Sequence, residues 1–360
     1  MTWNLAIACG GTGGHVNPAL AVALRARELG IVDKIAFFGA RSGLEKDLVE
    51  GAGFNIELLP TGRVRGMGMM TKVAGMAGLA AAVPMAMQKL TRFGADVVLG
   101  TGGYASAAPM MAGALMGKPT VLLEQNTIPG STNRMLSRTA RLVCISFPMS
   151  SAWFPSWKVM VTGNPVRQEV LAARTARDSV NFAEGFEILV LGGSQGALFL
   201  NESVARVLKT LVDRHEDLRI VHQTGKGRRD EALKVYGDHP RVNVVEYIDD
   251  MGARLSTCHL VIGRAGATTV AELTVAGVPA ILVPFPYATD NHQEWNAREM
   301  ARVGAAEVFI QAGFQEEKLE KTVERLVRDR GRLGRMAVAA RKLGRPEAAD
   351  AILEQIGGML

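Results

Sequence analysis

The run GGTGGH at 10–15 ends in a histidine, the side chain whose ordinary pKa allows proton exchange near neutral pH. Backbone N–H groups of a glycine loop that opens onto a helix favour phosphate. His15 has two readings: a general base, or a helix-start residue that only donates a hydrogen bond. The run is not a dinucleotide fingerprint. Counting G-x-G-x-x-G from Gly11 puts Val16 where the third glycine belongs, and the second strand leads into Gly39, Ala40 and Arg41, with no acid for a ribose. A Walker A loop is also absent, because residues 113–118 are one residue short and run into Pro119.

Three more segments carry polar groups at strand ends. GGSQG at 192–196 repeats the phosphate-loop logic, with Ser194 either a ligand contact or an ordinary N-cap. In RAGATTVAE at 264–272, Glu272 suits the two hydroxyls of a ribose, with loop amides near a pyrophosphate; Thr269 and Glu272 equally have capping-box spacing. The amides of DNHQEWN at 290–296 can donate and accept at once, which suits a sugar, though surface-loop polarity has the same composition. Glu124, Gln125 and Asn126 follow a strand, with Glu124 the reserve candidate for a base.

These segments need elements to hold them. Buried strands are expected at 4–9, 35–38, 96–99, 120–123 and 142–145, with a helix from about 18 to 29. The pattern restarts with a strand at 187–191, the second glycine loop, a helix over 197–212, and strands at 219–222, 242–247, 259–262 and 280–284. Residues 316–344 and 346–356 read as helical. Apolar strands alternating with helices imply parallel sheets covered on both faces, and ligands bind beyond the strands' carboxyl ends. The fold class is α/β: two doubly wound Rossmann-like domains facing across a cleft, joined near 163–165. A length of 360 residues fits two domains.

Composition narrows the partners. Residues 1–165 hold 15 Lys/Arg and 8 Asp/Glu, net +7, whereas 166–360 hold 26 and 27, net −1. The basic first half points to an anionic partner or to an incidental solvated face. Aromatics are only 6% and no nucleic-acid-binding signature is present, so nucleic acid is not expected. Three scattered cysteines suit a reducing compartment and show no metal-ligand spacing; no signal peptide is apparent and a cytosolic protein is expected. Residues 97–117 carry no charge, but Gly100, Gly102, Gly103, Pro109 and Gly113 inside them favour a strand, a turn and a short buried helix over a membrane span. Residues 63–93 start with Arg63, Arg65 and Lys72, end with Lys89 and Arg92, and are almost wholly apolar between, with Met76 and Leu79 inside. That pattern suits shallow docking on acidic lipid, or a connecting helix buried between charged ends.

Taken together, GGTGGHVNPALAVA (10–23), VLLEQNTIPGSTN (121–133), TGNPVR (162–167), GGSQGA (192–197), YIDDM (247–251), RAGATTVAE (264–272) and DNHQEWNA (290–297) resemble the MurG family. Those enzymes are GT-B glycosyltransferases that move N-acetylglucosamine from UDP-N-acetylglucosamine to lipid I in peptidoglycan synthesis. The segments occur in the family's order and span nearly the whole chain. The resemblance implies an acceptor- and membrane-facing domain over 1–165, a UDP-N-acetylglucosamine-binding domain over 166–343, and a C-terminal helix at about 344–360 packed back on the first. It implies an inverting transfer with no cofactor and no metal, at the cytoplasmic face of the inner membrane, with an anionic membrane surface and other cell-wall synthesis proteins as partners. Substrate contacts carried over by motif are Thr12, Gly13, Gly14, Asn126, Arg167, Ser194, Ile248 (at the uracil), Ala267, Thr268, Thr269, Glu272 (at the ribose) and Gln293 (at the sugar). His15 matches a histidine proposed to act at the acceptor. Gly263 departs from the Ser or Cys often found there, and the segment at 290–297 varies among relatives. A UDP-sugar epimerase or hydrolase would share the donor site without needing a lipid surface. A non-enzymatic lipid-phosphate module would explain the basic first half but not a second nucleotide-type domain.

Overall fold

Short apolar runs flanked by glycine and polar residues become parallel strands, each followed by a helix that returns the chain. The computed structural model describes residues 2–10, 13–40, 45–60, 69–179, 184–193 and 195–360, with backbone alone for 69–77 and 179. Thr12, Arg63, Arg65 and Ser194, and the side chains of Lys72 and Met76, lie outside the described residues. The chain divides into a unit formed by Met1–Arg167 with Arg345–Leu360 and a unit formed by Gln168–Gly344.

The first unit contains β1 (Trp3–Ala8), α1 (Gly13–Glu28), β2 (Val32–Ala40), α2 (Glu45–Gly51), β3 (Asn55–Leu59), α3 (Met69–Phe93), β4 (Val97–Gly100), α4 (Ala107–Leu115), β5 (Thr120–Glu124), α5 (Ser131–Leu136), β6 (Leu142–Ile145) and β7 (Val159–Val161). Its strands lie in the order β3-β2-β1-β4-β5-β6-β7. The order reverses between β1 and β4, where Ala8 pairs with Gly100, and loops leaving both strands there open the crevice that such sheets use for ligands. Residues 97–117 are a strand, a short 3₁₀ turn and α4, and among the described residues no helix is long and apolar enough to cross a membrane.

The second unit contains α6 (Gln168–Ala176), β8 (Phe186–Leu191), a π-helical turn (Leu200–Val204), α7 (Ala205–Arg214), β9 (Leu218–Gln223), α8 (Arg229–Tyr236), β10 (Val242–Val245), α9 (Met251–Thr257), β11 (Leu260–Gly263), α10 (Ala267–Ala276), β12 (Ala280–Leu282), α11 (His292–Arg302), β13 (Ala306–Val308), α12 (Glu316–Arg328) and α13 (Arg330–Leu343). Strand order is β10-β9-β8-β11-β12-β13, reversing between β8 and β11, where Leu191 pairs with Gly263. The helical stretch expected over 316–344 breaks at Asp329, whose carboxylate accepts the Arg332 N–H at 2.8 Å and caps α13.

The last helix, α14 (Ala348–Gly357), belongs to the first unit. Ile352, Leu353 and Ile356 join Trp3, Leu5, Val16 and Val22 in one buried cluster, and Arg25 donates to Asp350 at 2.6 Å. Helix α1 starts at Gly13, five residues before the expected start at Pro18, which therefore sits inside it. The ring removes one helical hydrogen bond there.

Candidate active site

In the first unit the structure brings His15, Thr101 and Gln125 together across 110 residues of sequence. His15 opens α1, Thr101 follows β4 and Gln125 follows β5. His15 Nδ1 lies 2.8 Å from the Thr101 carbonyl oxygen and 3.1 Å from Gln125 Oε1. The Gln125 amide donates to the same Thr101 carbonyl at 2.7 Å, and the Thr101 hydroxyl donates to the His15 carbonyl at 2.9 Å. Gln125 and Thr101 are buried, whereas the His15 ring is half-buried. The loop at 101–103 must be glycine-rich to pack this closely. A Cβ on Gly103, whose φ is +78°, would lie 2.2 Å from the Gly10 carbonyl oxygen.

Asn126 stands beside this group, half-buried, and Glu124 anchors it. One Glu124 carboxylate oxygen accepts from the Asn126 N–H at 2.8 Å and from its side-chain amide at 3.4 Å; the other accepts from Asn133 at 2.8 Å and Gly130 N–H at 3.3 Å. Burial raises the Glu124 pKa to about 7 against the lowering by those donors. With 1% exposure and both oxygens bound within its own loop, Glu124 shapes the site and is a poor reserve base. Gly13 and Gly14 form the first turn of α1, and Arg167 is half-buried where the chain first leaves this unit.

The second unit sets two loops at its own switch point. Gly193 donates its N–H to Gln223 Oε1 at 3.1 Å and accepts from Gln223 Nε2 at 3.1 Å, so one side chain grips both ends of the residue. Gln223 also donates to the Glu246 carbonyl at 3.0 Å. Gly196 and Gly225 meet backbone to backbone: a Cβ on Gly225 would lie 2.4 Å from the Gly196 Cα.

Helix α10 begins at Ala267 with Gly266 as its N-cap and no side-chain cap. This corrects the capping-box alternative, because Thr269 lies inside the first turn and Glu272 in the second. Thr268 and Glu272 are four residues apart, hence stacked on one helix face, and Glu272 is only 8% exposed. The first-turn amides of Ala267, Thr268 and Thr269 point out of the helix N-terminus, where negative charge is favoured. Arg264 clamps the neighbouring loops, donating to the Val283 and Pro284 carbonyls at 3.0 Å and to Gln311 at 3.0 Å, with its guanidinium over the Phe285 ring. Burial lowers its pKa to about 10, so it remains charged at neutral pH. Gln293, in the first turn of α11, accepts the Phe285 N–H at 3.0 Å. The preceding turn holds Asp290 and Asn291 at φ of 49° and 53°, a strained backbone for non-glycine residues. Ile248 is buried next to the exposed Tyr247.

On α3, Leu79 is half-buried against the first unit's core and Lys89 pairs with Glu57 of β3. Ala80, Ala81, Pro84, Met85, Gln88, Thr91 and Arg92 form the exposed stripe. Sequence reasoning missed Thr101, Gln125 as a partner of His15, Asn133 and Gln223. The TGG at 101–103 after a strand was the available signal for the first.

The glycosyltransferase family 28 N-terminal domain matches residues 5–145 and the family's C-terminal domain matches residues 187–352. The UDP-N-acetylglucosamine–N-acetylmuramyl-(pentapeptide) pyrophosphoryl-undecaprenol N-acetylglucosamine transferase of Myxococcus xanthus is 41% identical over 97% of this chain and 91% of its own length. The enzyme of the same name from Methylococcus capsulatus is 41% identical over 99% of this chain and 100% of its own. Among solved structures, Acinetobacter baumannii MurG superposes with a TM-score of 0.80 at 32% identity, covering 99% of both chains. A putative UDP-N-acetylglucosamine 2-epimerase from Listeria monocytogenes reaches a TM-score of 0.71 at 17% identity, covering 99% of this chain and 96% of that one, a likeness of fold alone. With two parallel-sheet Rossmann-like domains of GT-B type, the chain belongs to glycosyltransferase family 28, in the MurG family of N-acetylglucosamine transferases.

Proposed function

We propose that this protein transfers N-acetylglucosamine from UDP-N-acetylglucosamine to the C4 hydroxyl of the muramyl sugar of undecaprenyl-pyrophosphoryl-MurNAc-pentapeptide, turning lipid I into lipid II. The observation that carries this reading is 41% identity over 97% of the chain to an enzyme whose name states that transfer. The reaction is a single inverting displacement. The acceptor oxygen bonds to the anomeric carbon while the bond to the UDP oxygen breaks and UDP leaves with the electron pair. His15 takes the hydroxyl proton. Ala267, Thr268 and Thr269 at the start of α10 offset the charge growing on the diphosphate. Glu272 binds the ribose, Ile248 the uracil and Gln293 the sugar, with Arg167, Asn126, Gly13 and Gly14 as further contacts. Thr12 and Ser194 complete the set by motif. The first domain takes the acceptor and the second takes the donor.

The protein works as a peripheral enzyme on the cytoplasmic face of the inner membrane. The segment from Arg63 to Arg92 docks it on anionic lipid, through Arg63, Arg65, Lys72, Met76 and the stripe beside Leu79 and Lys89. In support, the described part of α3 turns Met85 and Arg92 outward. Wild type is expected to sediment with acidic vesicles, less as salt rises; retained binding after Arg63, Arg65 and Lys72 all become Glu would remove this segment from the docking surface.

Incubating labelled UDP-N-acetylglucosamine with and without the lipid-linked acceptor tests the reaction. UDP release that needs the acceptor is the expected result. Acceptor-independent conversion to a C2 epimer would replace the reading with the epimerase one, which the shared fold makes the natural rival.

A further inference from the structure

The atoms around His15 determine which of its ring nitrogens carries hydrogen. The Thr101 carbonyl oxygen can only accept, so the Gln125 side-chain atom 2.7 Å from it must be the amide nitrogen. The other end of that amide is then the oxygen, 3.1 Å from His15 Nδ1, and it too can only accept. Nδ1 also lies 2.8 Å from the Thr101 carbonyl. Two acceptors converge on one nitrogen, and each would repel a lone pair there. Reversing the amide does not relieve this, because it would set Gln125 oxygen against the Thr101 carbonyl. Gln125 is 1% exposed and Thr101 is fully buried, so water does not compete readily for these bonds.

We infer that Gln125 is a positioning residue for the transfer. Together with the Thr101 carbonyl it holds His15 as the Nδ1–H tautomer, so that Nε2 is the nitrogen that removes the acceptor's proton. The inference rests on the proposed role of His15 as base. In the reaction the acceptor O–H bond breaks and an Nε2–H bond forms. The positive charge so created spreads to Nδ1–H, where both acceptors already wait, so the imidazolium needs no reorganisation of its surroundings. The Thr101 hydroxyl, bonded to the His15 carbonyl at 2.9 Å, holds the backbone of the same residue against the same loop.

Nitrogen-15 NMR of the wild-type protein labelled in histidine, above the ring's pKa, reads the tautomer directly, with His15→Ala assigning the signal. The expected pattern is a pyrrole-type Nδ1 and a pyridine-type Nε2. A pyrrole-type Nε2 overturns the inference whatever the activity data say. Gln125→Met keeps the side chain's length and removes both polar ends. It is expected to give a mixed tautomer signal and a kcat lowered about tenfold or more, with UDP affinity within about twofold of wild type. Wild-type kcat together with an unchanged spectrum in Gln125→Met would remove Gln125 from this role. The outcomes separate the two claims: full turnover in His15→Ala ends the base assignment but leaves the spectrum to judge the tautomer.

Discussion

Each unit places a glutamine amide behind its glycine-rich loop and a histidine next to that support, yet the two histidines are opposites. His15 is half-buried at the mouth of α1 with Nδ1 as its donor. His222 is fully buried in β9 between Tyr236 and Asn201. Asn201 spends its amide nitrogen on the Thr224 carbonyl and on Glu231, so its oxygen faces His222, and there Nε2 is the donor. Burial lowers the His222 pKa to about 3, which keeps it neutral. One scaffold, a strand, a glycine loop and a helix, thus serves two tasks. Where the imidazole sits in the loop's exit it is half-open, as the proposed base requires; where it sits in the strand it is a fixed hydrogen-bonding spacer beneath the second loop's neighbour.

The widest separation is expected in turnover. His15→Ala should lower kcat by roughly 10²–10⁴-fold with UDP affinity little changed, whereas His222→Gln should leave kcat close to wild type. Equal losses in both would break the contrast. Next, Glu272→Ala should weaken UDP by about 1.5–3 kcal/mol, the scale of hydrogen bonds to a charged group. Because Glu272 makes no helix cap, melting should shift little; a large drop in melting temperature with normal UDP affinity would refute the ribose role. Acid should then distinguish the histidines by stability. With its folded pKa near 3 and its ordinary value at 6.5, His222 takes up a proton on unfolding that it refuses when folded. Stability is therefore lost as pH falls below 6.5, by about 2 kcal/mol at pH 5. Urea titrations from pH 5 to 7 should show a flatter dependence in His222→Gln, and identical slopes would reject the burial argument. The smallest effect belongs to the loop support: Gln223→Leu removes both side-chain bonds to Gly193, leaving the Gly196 N–H on its carbonyl, and should weaken UDP by about 1 kcal/mol, with kcat at saturation nearly unchanged.

The central strands were legible because a strand buried on both faces reads as an unbroken apolar run. Strand β6 has the bounds expected for it, and β5 extends one residue further, to Glu124. The strands that went unseen, β3, β7 and β13, all lie at sheet edges. They are short and only partly buried, so the apolar run that marks their neighbours is missing. The site shows a similar divide. Glycine loops and the polar segment around Glu272 stand out locally, and their strand-end positions follow from the alternation. The convergence of Gln125 and Thr101 on His15 depends on the strand order β1-β4-β5, which no local pattern contains. The capping-box spacing of Thr269 and Glu272 misled because α10 starts two residues before Thr269, at Ala267.

Helix α14 has a consequence for synthesis. The cluster around Trp3, Leu5 and Val16 is completed by Ile352, Leu353 and Ile356, which leave the ribosome after all of residues 168–344. Domains that are continuous in sequence can fold in order as they emerge, the earlier before the later. Here the earlier-made unit waits for the later-made one to be translated, with the apolar side of α1 uncovered meanwhile. A released chain truncated after Gly344 should therefore be cut within the first unit by proteases that spare the second, and chaperones that hold apolar helices have their window during that interval.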